Sequence, residues 1–313
     1  MKSSILILTL QNISGIGNKS IQTMLSSEDA RKINDVNKII QLIENAKQSY
    51  NRIVVPDFET VEKSWYNATK IYEKSNSIGI QIISIFDKNY PESLKQITNP
   101  PLLLHAMGNI EALNDHCVAI VGTRKPTISG AKKAECLGFQ FAKRGLNVVS
   151  GLALGIDASA HKGVLKKGGI TAAVLAHGLD SISPKSNKEL AEEIIRKGGI
   201  LLSEYPIGTR AKKYTYIERN RIQSGLSLGT VLVESKSKGG SMKTAEFCKE
   251  QGRLLGVVKP PEDMADDSHY QGNLRLILEP DTEVITGDLR GYTNKLLNSN
   301  KKSSKNVTLD YFA

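Results

Sequence analysis

Residues 117–127 read Cys117-Val-Ala-Ile-Val-Gly-Thr-Arg-Lys-Pro-Thr127, and residues 146–160 read Leu146-Asn-Val-Val-Ser-Gly-Leu-Ala-Leu-Gly-Ile-Asp-Ala-Ser-Ala160. Val118 to Val121 is a short apolar run ended by glycine, the pattern of a strand buried on both faces. Ala131 to Lys143 carries apolar or small residues at helical spacing. Leu146 to Val149 is a second buried strand, stopped in turn by Gly151. Two strand–glycine-turn–helix units in succession predict a parallel sheet whose ligand edge lies at the carboxyl ends of its strands.

The alternation continues downstream. Thr171 to Ala176, Ile200 to Ser203, Thr230 to Val233 and Leu254 to Val258 read as strands. Helices are predicted through Leu165, over Asn187 to Arg196 with Asn187 as cap, over Ile217 to Leu226, and over Ser241 to Gln251. Upstream, Ile80 to Phe86 and Leu102 to Met107 are strand-like, separated by a helix starting at Pro91 and broken at Pro100 and Pro101. The fold class expected is α/β: an extended, Rossmann-like, mostly parallel sheet with helices on both faces.

A small N-terminal helical domain is expected over residues 1–78. Val36, Ile39, Ile40 and Ile43 mark one face of an amphipathic helix, and Trp65, Ile71 and Tyr72 are expected to pack this unit. Gly15-Ile-Gly17 followed by a helix has the form of a helix-hairpin-helix turn, whose N–H groups can meet a phosphate. A structural turn between two packed helices explains the same pattern. The sheet domain is expected over residues 79–287, and residues 288–313 as a polar, disordered tail.

The chain has 313 residues, 40% of them hydrophobic, enough for a large α/β domain and a smaller companion. Its formal net charge of +10 favours a polyanionic partner, nucleic acid first. The three cysteines form no Cys-x-x-Cys pair, which argues against a zinc site or a disulfide framework and fits a reducing cytoplasm. No stretch is long and apolar enough to span a bilayer, so no membrane role is expected. Neither Gly-x-Gly-x-x-Gly nor a P-loop nor a Gly-x-Ser-x-Gly elbow occurs, so no cofactor is expected.

Three stretches are candidate phosphate contacts. Gly122, Thr123 and Arg124 offer N–H groups, a hydroxyl and a guanidinium fork at the ligand edge. Gly151 and Gly155 permit close backbone approach in the second turn, and Asp157 is expected to cap or orient it. Arg210, Lys212, Lys213, Arg219 and Arg221, with Asn220 among them, are interleaved with Tyr205, Tyr214 and Tyr216. Basic groups for the backbone and aromatics for the bases are how single strands are held without strong sequence preference. Lys238-Gly239-Gly240-Ser241 opens a helix with Lys243 in its first turn, a further anion cradle. His161 reads as a packed helix residue rather than a base.

Six stretches in this order are similar to one known family. They are Asp87-Lys-Asn-Tyr-Pro-Glu-Ser-Leu94 with Pro100-Pro101-Leu102, Val118 to Thr127, Val149 to His161, Leu202-Ser-Glu-Tyr-Pro206, Glu218-Arg-Asn-Arg-Ile222 and Gly240-Ser-Met-Lys-Thr-Ala-Glu246. Gly272-Asn273 with Leu276-Ile277 adds a seventh. The chain resembles the DprA/Smf DNA-processing proteins over residues 80–285. The resemblance implies a Rossmann-like homodimer of the bacterial cytoplasm, not an enzyme, that binds single-stranded DNA and helps load the RecA recombinase. It implies Arg124 as the pocket arginine, and Lys213 or Lys212 as the pocket lysine. Many members end in a winged-helix domain, where this chain is expected to trail into its polar tail.

The alternative is a nucleotide-binding or nucleotide-cleaving enzyme related to the phosphoribohydrolases, whose site carries Gly-Gly-x-Gly-Thr-x-x-Glu. Here Gly239-Gly240-Ser-Met-Lys243-Thr244-Ala-Glu246 keeps part of that pattern but lacks the last glycine, which blocks close backbone approach.

Overall fold

Nine strands form a single sheet among the described residues: β1 Gln81–Ser84, β2 Leu103–Gly108, β3 Cys117–Val121, β4 Asn147–Ser150, β5 Thr171–Leu175, β6 Ile200–Ser203, β7 Gly229–Leu232, β8 Leu254–Val258 and β9 Thr282–Ile285. The structure is a computed structural model that describes residues 2–113, 116–264 and 267–306. The strand order is β1-β2-β6-β5-β4-β3-β7-β8-β9. From β6 to β9 every pairing is parallel, while β2 runs antiparallel to both β6 and β1. The fold is thus α/β, mostly parallel and Rossmann-like, as expected.

Strands β3 to β7 are buried along their whole lengths, because helices cover both faces. The chain leaves β3 for β4 on one side and later returns to β7 on the other. Strand β3 is therefore the topological switch point, and a crevice is expected beyond its carboxyl end.

The helix after β3, Ile128–Lys143, starts where the Thr127 hydroxyl accepts from the Gly130 N–H at 2.9 Å. Glu234, buried just past β7, accepts from both the Thr127 N–H (2.9 Å) and the Thr127 hydroxyl (2.7 Å). One carboxylate thus fixes the start of that helix to the end of the neighbouring strand.

The N-terminal segment is helical. The helix Val36–Lys47 is capped by Asp35 and buries Val36, Ile39 and Ile43. Trp65, Ile71 and Tyr72 pack against the same core. That core runs without a break from Leu6, Leu10, Ile21, Leu25 and Ile39 into Ile83, Leu104 and Leu202 of the sheet. Gly15 has φ +84° and Ile13 and Ile16 are buried, so the Gly15–Gly17 turn joins two helices packed on that core.

Two expectations are corrected here. Residues 290–306 are helical, not an irregular tail. Leu289, Tyr292 and Leu296 are buried against the sheet, and the Tyr292 hydroxyl donates to the Leu254 carbonyl at 3.1 Å. Apolar residues at i, i+3 and i+7 within polar neighbours were enough to dock one helical face. Leu309, Tyr311 and Phe312 lie outside the described residues. Asn187 does not cap its helix through its side chain. Its amide instead donates to the Leu152 carbonyl at 2.8 Å.

Candidate nucleic-acid interface

Beyond the carboxyl ends of β3, β4 and β7 lies a cleft of about 430 Å³. Its walls come from Val121–Arg124, Ala153 with Asp157, the helix Lys213–Gly225, and the loop Ser235–Ser241. Of the residues expected to form the site, Gly122, Thr123, Arg124, Arg219, Asn220, Gly240 and Ser241 line this one cleft.

The mouth is built by Arg124 and Tyr216. The Arg124 guanidinium carbon lies 4.6 Å from the centre of the Tyr216 ring. Arg124 is exposed and has no carboxylate partner among the described residues. A guanidinium held over an aromatic face directs its N–H donors sideways from the ring, free to meet an anion. Exposed Lys236 and Lys238 line the same cleft. Tyr216 was grouped with the stacking aromatics in the sequence, but Lys236 carries no motif that marks it; only the return of the chain to β7 brings it here.

The floor is Arg219, only 4% exposed. Its guanidinium donates to the carbonyls of Gly151 (3.0 Å) and Val174. Burial pulls its pKa down, and Asp157 opposes that. Burial raises the Asp157 carboxyl in turn, against the pull of Arg219 and of the Ala153 and Gly151 N–H groups. Asp157 Oδ2 accepts from Gly151 N–H at 3.2 Å and Ala153 N–H at 3.4 Å. Between those two residues Leu152 is held at φ +57°, unfavourable for a leucine. The Asp157 carboxylate on its neighbours and the Asn187 amide on its own carbonyl fix that conformation. Asp157 therefore orients the turn, as expected.

Several expected contacts sit elsewhere. Arg221 spends both terminal nitrogens on Glu204 (2.9 and 2.6 Å) and its Nε on the Asn99 carbonyl (2.9 Å). At 4% exposure it is an internal tie between the long loop after β6 and the Asn99–Pro101 segment, not a DNA contact. Gly151 and Gly155 do not line the cleft. The space beside Gly151 is filled by the Arg219 guanidinium, and Gly155, at φ +80°, packs against the Thr123 carbonyl. The Thr123 N–H is already donated to the Glu234 carbonyl at 2.8 Å, so it offers no donor to a ligand. Lys243 projects away from the cleft and pairs with Glu246 at 2.5 Å. The Gly239 N–H closes onto the Lys236 carbonyl (2.9 Å), which leaves the helix-start N–H groups of Gly240 and Ser241.

Lys212 and Lys213 are exposed and stand just outside the cleft wall, at the N-terminus of the helix that carries Tyr216, Arg219 and Asn220. Lys213 precedes Tyr216 by three residues and Ile217 by four, so it shares their face one turn further out. Tyr214 is exposed with the Lys212 ammonium 5.9 Å from its ring centre. Tyr205 is half-buried, and burial together with Glu204 pushes its phenol up to about 12. His161 is buried, donates to or accepts from Thr171 at 2.7 Å, and is a packed residue as expected. Among the described residues no cluster of His, Cys, Asp or Glu could hold a metal ion, and no helix is long and apolar enough to cross a membrane.

The family model for DNA recombination-mediator protein A matches residues 81–288. The chain belongs to that family. The DNA recombination-mediator fold extends to the solved relatives. The structure of DNA processing protein A (DprA) from Streptococcus pneumoniae is 31% identical, with a TM-score of 0.75, covering 92% of this chain and 96% of that one. DNA processing protein A from Helicobacter pylori, whose structure describes its single-stranded DNA binding mode, is 28% identical, with a TM-score of 0.61, over 70% of this chain and 97% of that one. The DNA processing protein DprA of Bacillus subtilis is 39% identical over 199 residues, 63% of this chain and 67% of that protein. The chain spans about half to two thirds of the length of the curated family members it matches.

Proposed function

We propose that the cleft holds an unpaired DNA strand, without cutting it, and presents it to a recombinase. The observation that carries this is the mouth: Arg124 lies over the Tyr216 ring, and Lys236 and Lys238 line the same cleft. Lys212 and Lys213 support the same reading. Two cations at a helix N-terminus oppose the helix dipole, at a cost of about 0.3–1 kcal/mol each. Such a placement is retained where an anion is to be met. Bases of a strand lying along this mouth can stack on Tyr216 and on its exposed neighbour Tyr214.

Cleavage of a nucleotide is the weaker proposal. Asp157 is the carboxylate on the cleft wall, and its oxygen is committed to the turn beneath. Glu246 faces Lys243 outside the cleft.

We further propose RecA as the recombinase, the cytoplasm as the site of action, and a homodimer as the working form. The dimer is supported by exposed Val284 on the edge strand β9 and by exposed Leu274 and Leu278 on and just after the helix Gln271–Ile277 that precedes it, with Leu278 86% exposed. The function is tested by titrating single- and double-stranded oligonucleotides of one sequence across a salt series. Preferential, salt-sensitive single-strand binding is expected; equal affinity for the duplex contradicts it.

A further inference from the structure

A second cavity, of about 360 Å³, opens on the same carboxyl edge. It lies beyond β8 and β9, between Lys259–Glu262, Thr286, Tyr270 and the first turn of the helix Ile128–Lys143. The two cavities are neighbours. Val233 faces the second and Ser235 the first, and the Glu234–Thr127 clamp forms the partition between them.

The lining has two parts of different chemistry. Val233, Val258, Pro260, Pro261 and the Tyr270 ring make an apolar slot. Lys133 and Lys259 stand over it, and no carboxylate pairs with either among the described residues. Ser129 adds a hydroxyl at the helix start, and exposed Glu262 places one carboxylate on the wall. A flat ring suits the slot, phosphate oxygens suit two unpaired ammonium groups, and a carboxylate can accept from an exocyclic amine or ring N–H of a base. A purely structural void would need no unpaired lysine pair at its mouth.

We propose that this cavity is a nucleotide subsite, separate from the Arg124 cleft. Its ligand is one nucleotide, base in the slot and phosphate between Lys133 and Lys259. Given the strand-binding function proposed above, on which this inference rests, the natural source is the same DNA strand, continued over the Thr127–Glu234 partition. A free mononucleotide has the same chemistry.

The test compares the parent with the Lys133→Ala/Lys259→Ala double variant. Oligocytidylates of increasing length are titrated across a salt series, and dCMP is titrated separately. Lys259 is exposed and Lys133 half-buried, and neither side chain has a partner among the described residues, so folding should be unaffected; circular dichroism checks this. If the strand fills the subsite, the variant binds the shortest binding oligonucleotide like the parent, loses the affinity gained with length, and shows a salt slope lower by about 0.7, the value for one phosphate. If a free nucleotide fills it, dCMP binding is lost and oligonucleotide binding is unchanged at every length. Either result supports the subsite and names its source. Unchanged binding of both ligands overturns it. Failure of the parent to bind any oligonucleotide instead strikes at the strand-binding function, a separate outcome.

Discussion

Arg124 and Tyr216, 92 positions apart in sequence, meet as a stacked pair at the mouth of the cleft, 4.6 Å from guanidinium carbon to ring centre. One sits in the turn after β3 and the other on the helix before β7. The parallel order that puts β7 beside β3 is what joins them. If the pair acts as a unit, a double-mutant cycle with Arg124→Ala and Tyr216→Ala should give a coupling of about 0.5–1 kcal/mol in single-strand affinity. Tyr216→Phe keeps the aromatic face and should retain most of the affinity. Strict additivity of the two alanine variants would show that the stack does not position the guanidinium.

Arg221 and Glu204 form the opposite case, an ion pair whose side chains are 5% and 15% exposed. Glu204→Gln leaves a buried guanidinium without its counter-charge. Denaturant unfolding should show a loss of about 3–5 kcal/mol, the cost of breaking a buried pair by removing one partner. Single-strand affinity of the remaining folded protein should be unchanged. A variant that keeps its stability but loses DNA binding would return Arg221 to the interface.

Acid should destabilise the fold through its buried histidines. His105 on β2 is 1% exposed and neither ring nitrogen has a hydrogen-bond partner among the described residues; burial lowers its pKa to about 4. Burial lowers His161 to about 3, with Arg219 adding to the effect. A depressed pKa in the folded state means that the unfolded chain binds the proton first. The stability due to the neutral ring is therefore whole above the ordinary histidine value near 6.5 and is lost as pH falls from there toward 4. For His105 the loss over that window is about 3 kcal/mol. Unfolding free energies measured between pH 7 and pH 4 should fall more steeply for the parent than for His105→Leu. Parallel curves would count against a buried neutral ring.

Much of the fold was legible because its signals are local. Val118–Val121 and Leu146–Val149 are apolar runs closed by glycine, and they are β3 and β4 to within a residue. Arg124 was legible for the same reason, since a strand end is where a ligand edge falls. The role of Arg221 was not. It differs from Arg219 and Lys213 only in which way the helix turns it, and the Glu204 that claims it is 17 positions away in a loop. Lys236 was missed because nothing in its neighbours marks it, and only the position of β7 beside β3 brings it to the cleft. The end of the chain misled through composition. The polar average over 288–306 hid Leu289, Tyr292 and Leu296, three anchors that a helical period picks out.

The central claim is that the Arg124 cleft grips the phosphate backbone of an unpaired strand. It is tested most directly by the slope of log affinity against log salt for a single-stranded oligonucleotide, comparing the parent with the Arg124→Ala/Lys236→Ala/Lys238→Ala variant. Each lost phosphate contact should lower the slope by about 0.7, so a fall of about 2 is predicted, together with a clear loss of affinity at low salt. A variant with the parent's slope and the parent's affinity would contradict it.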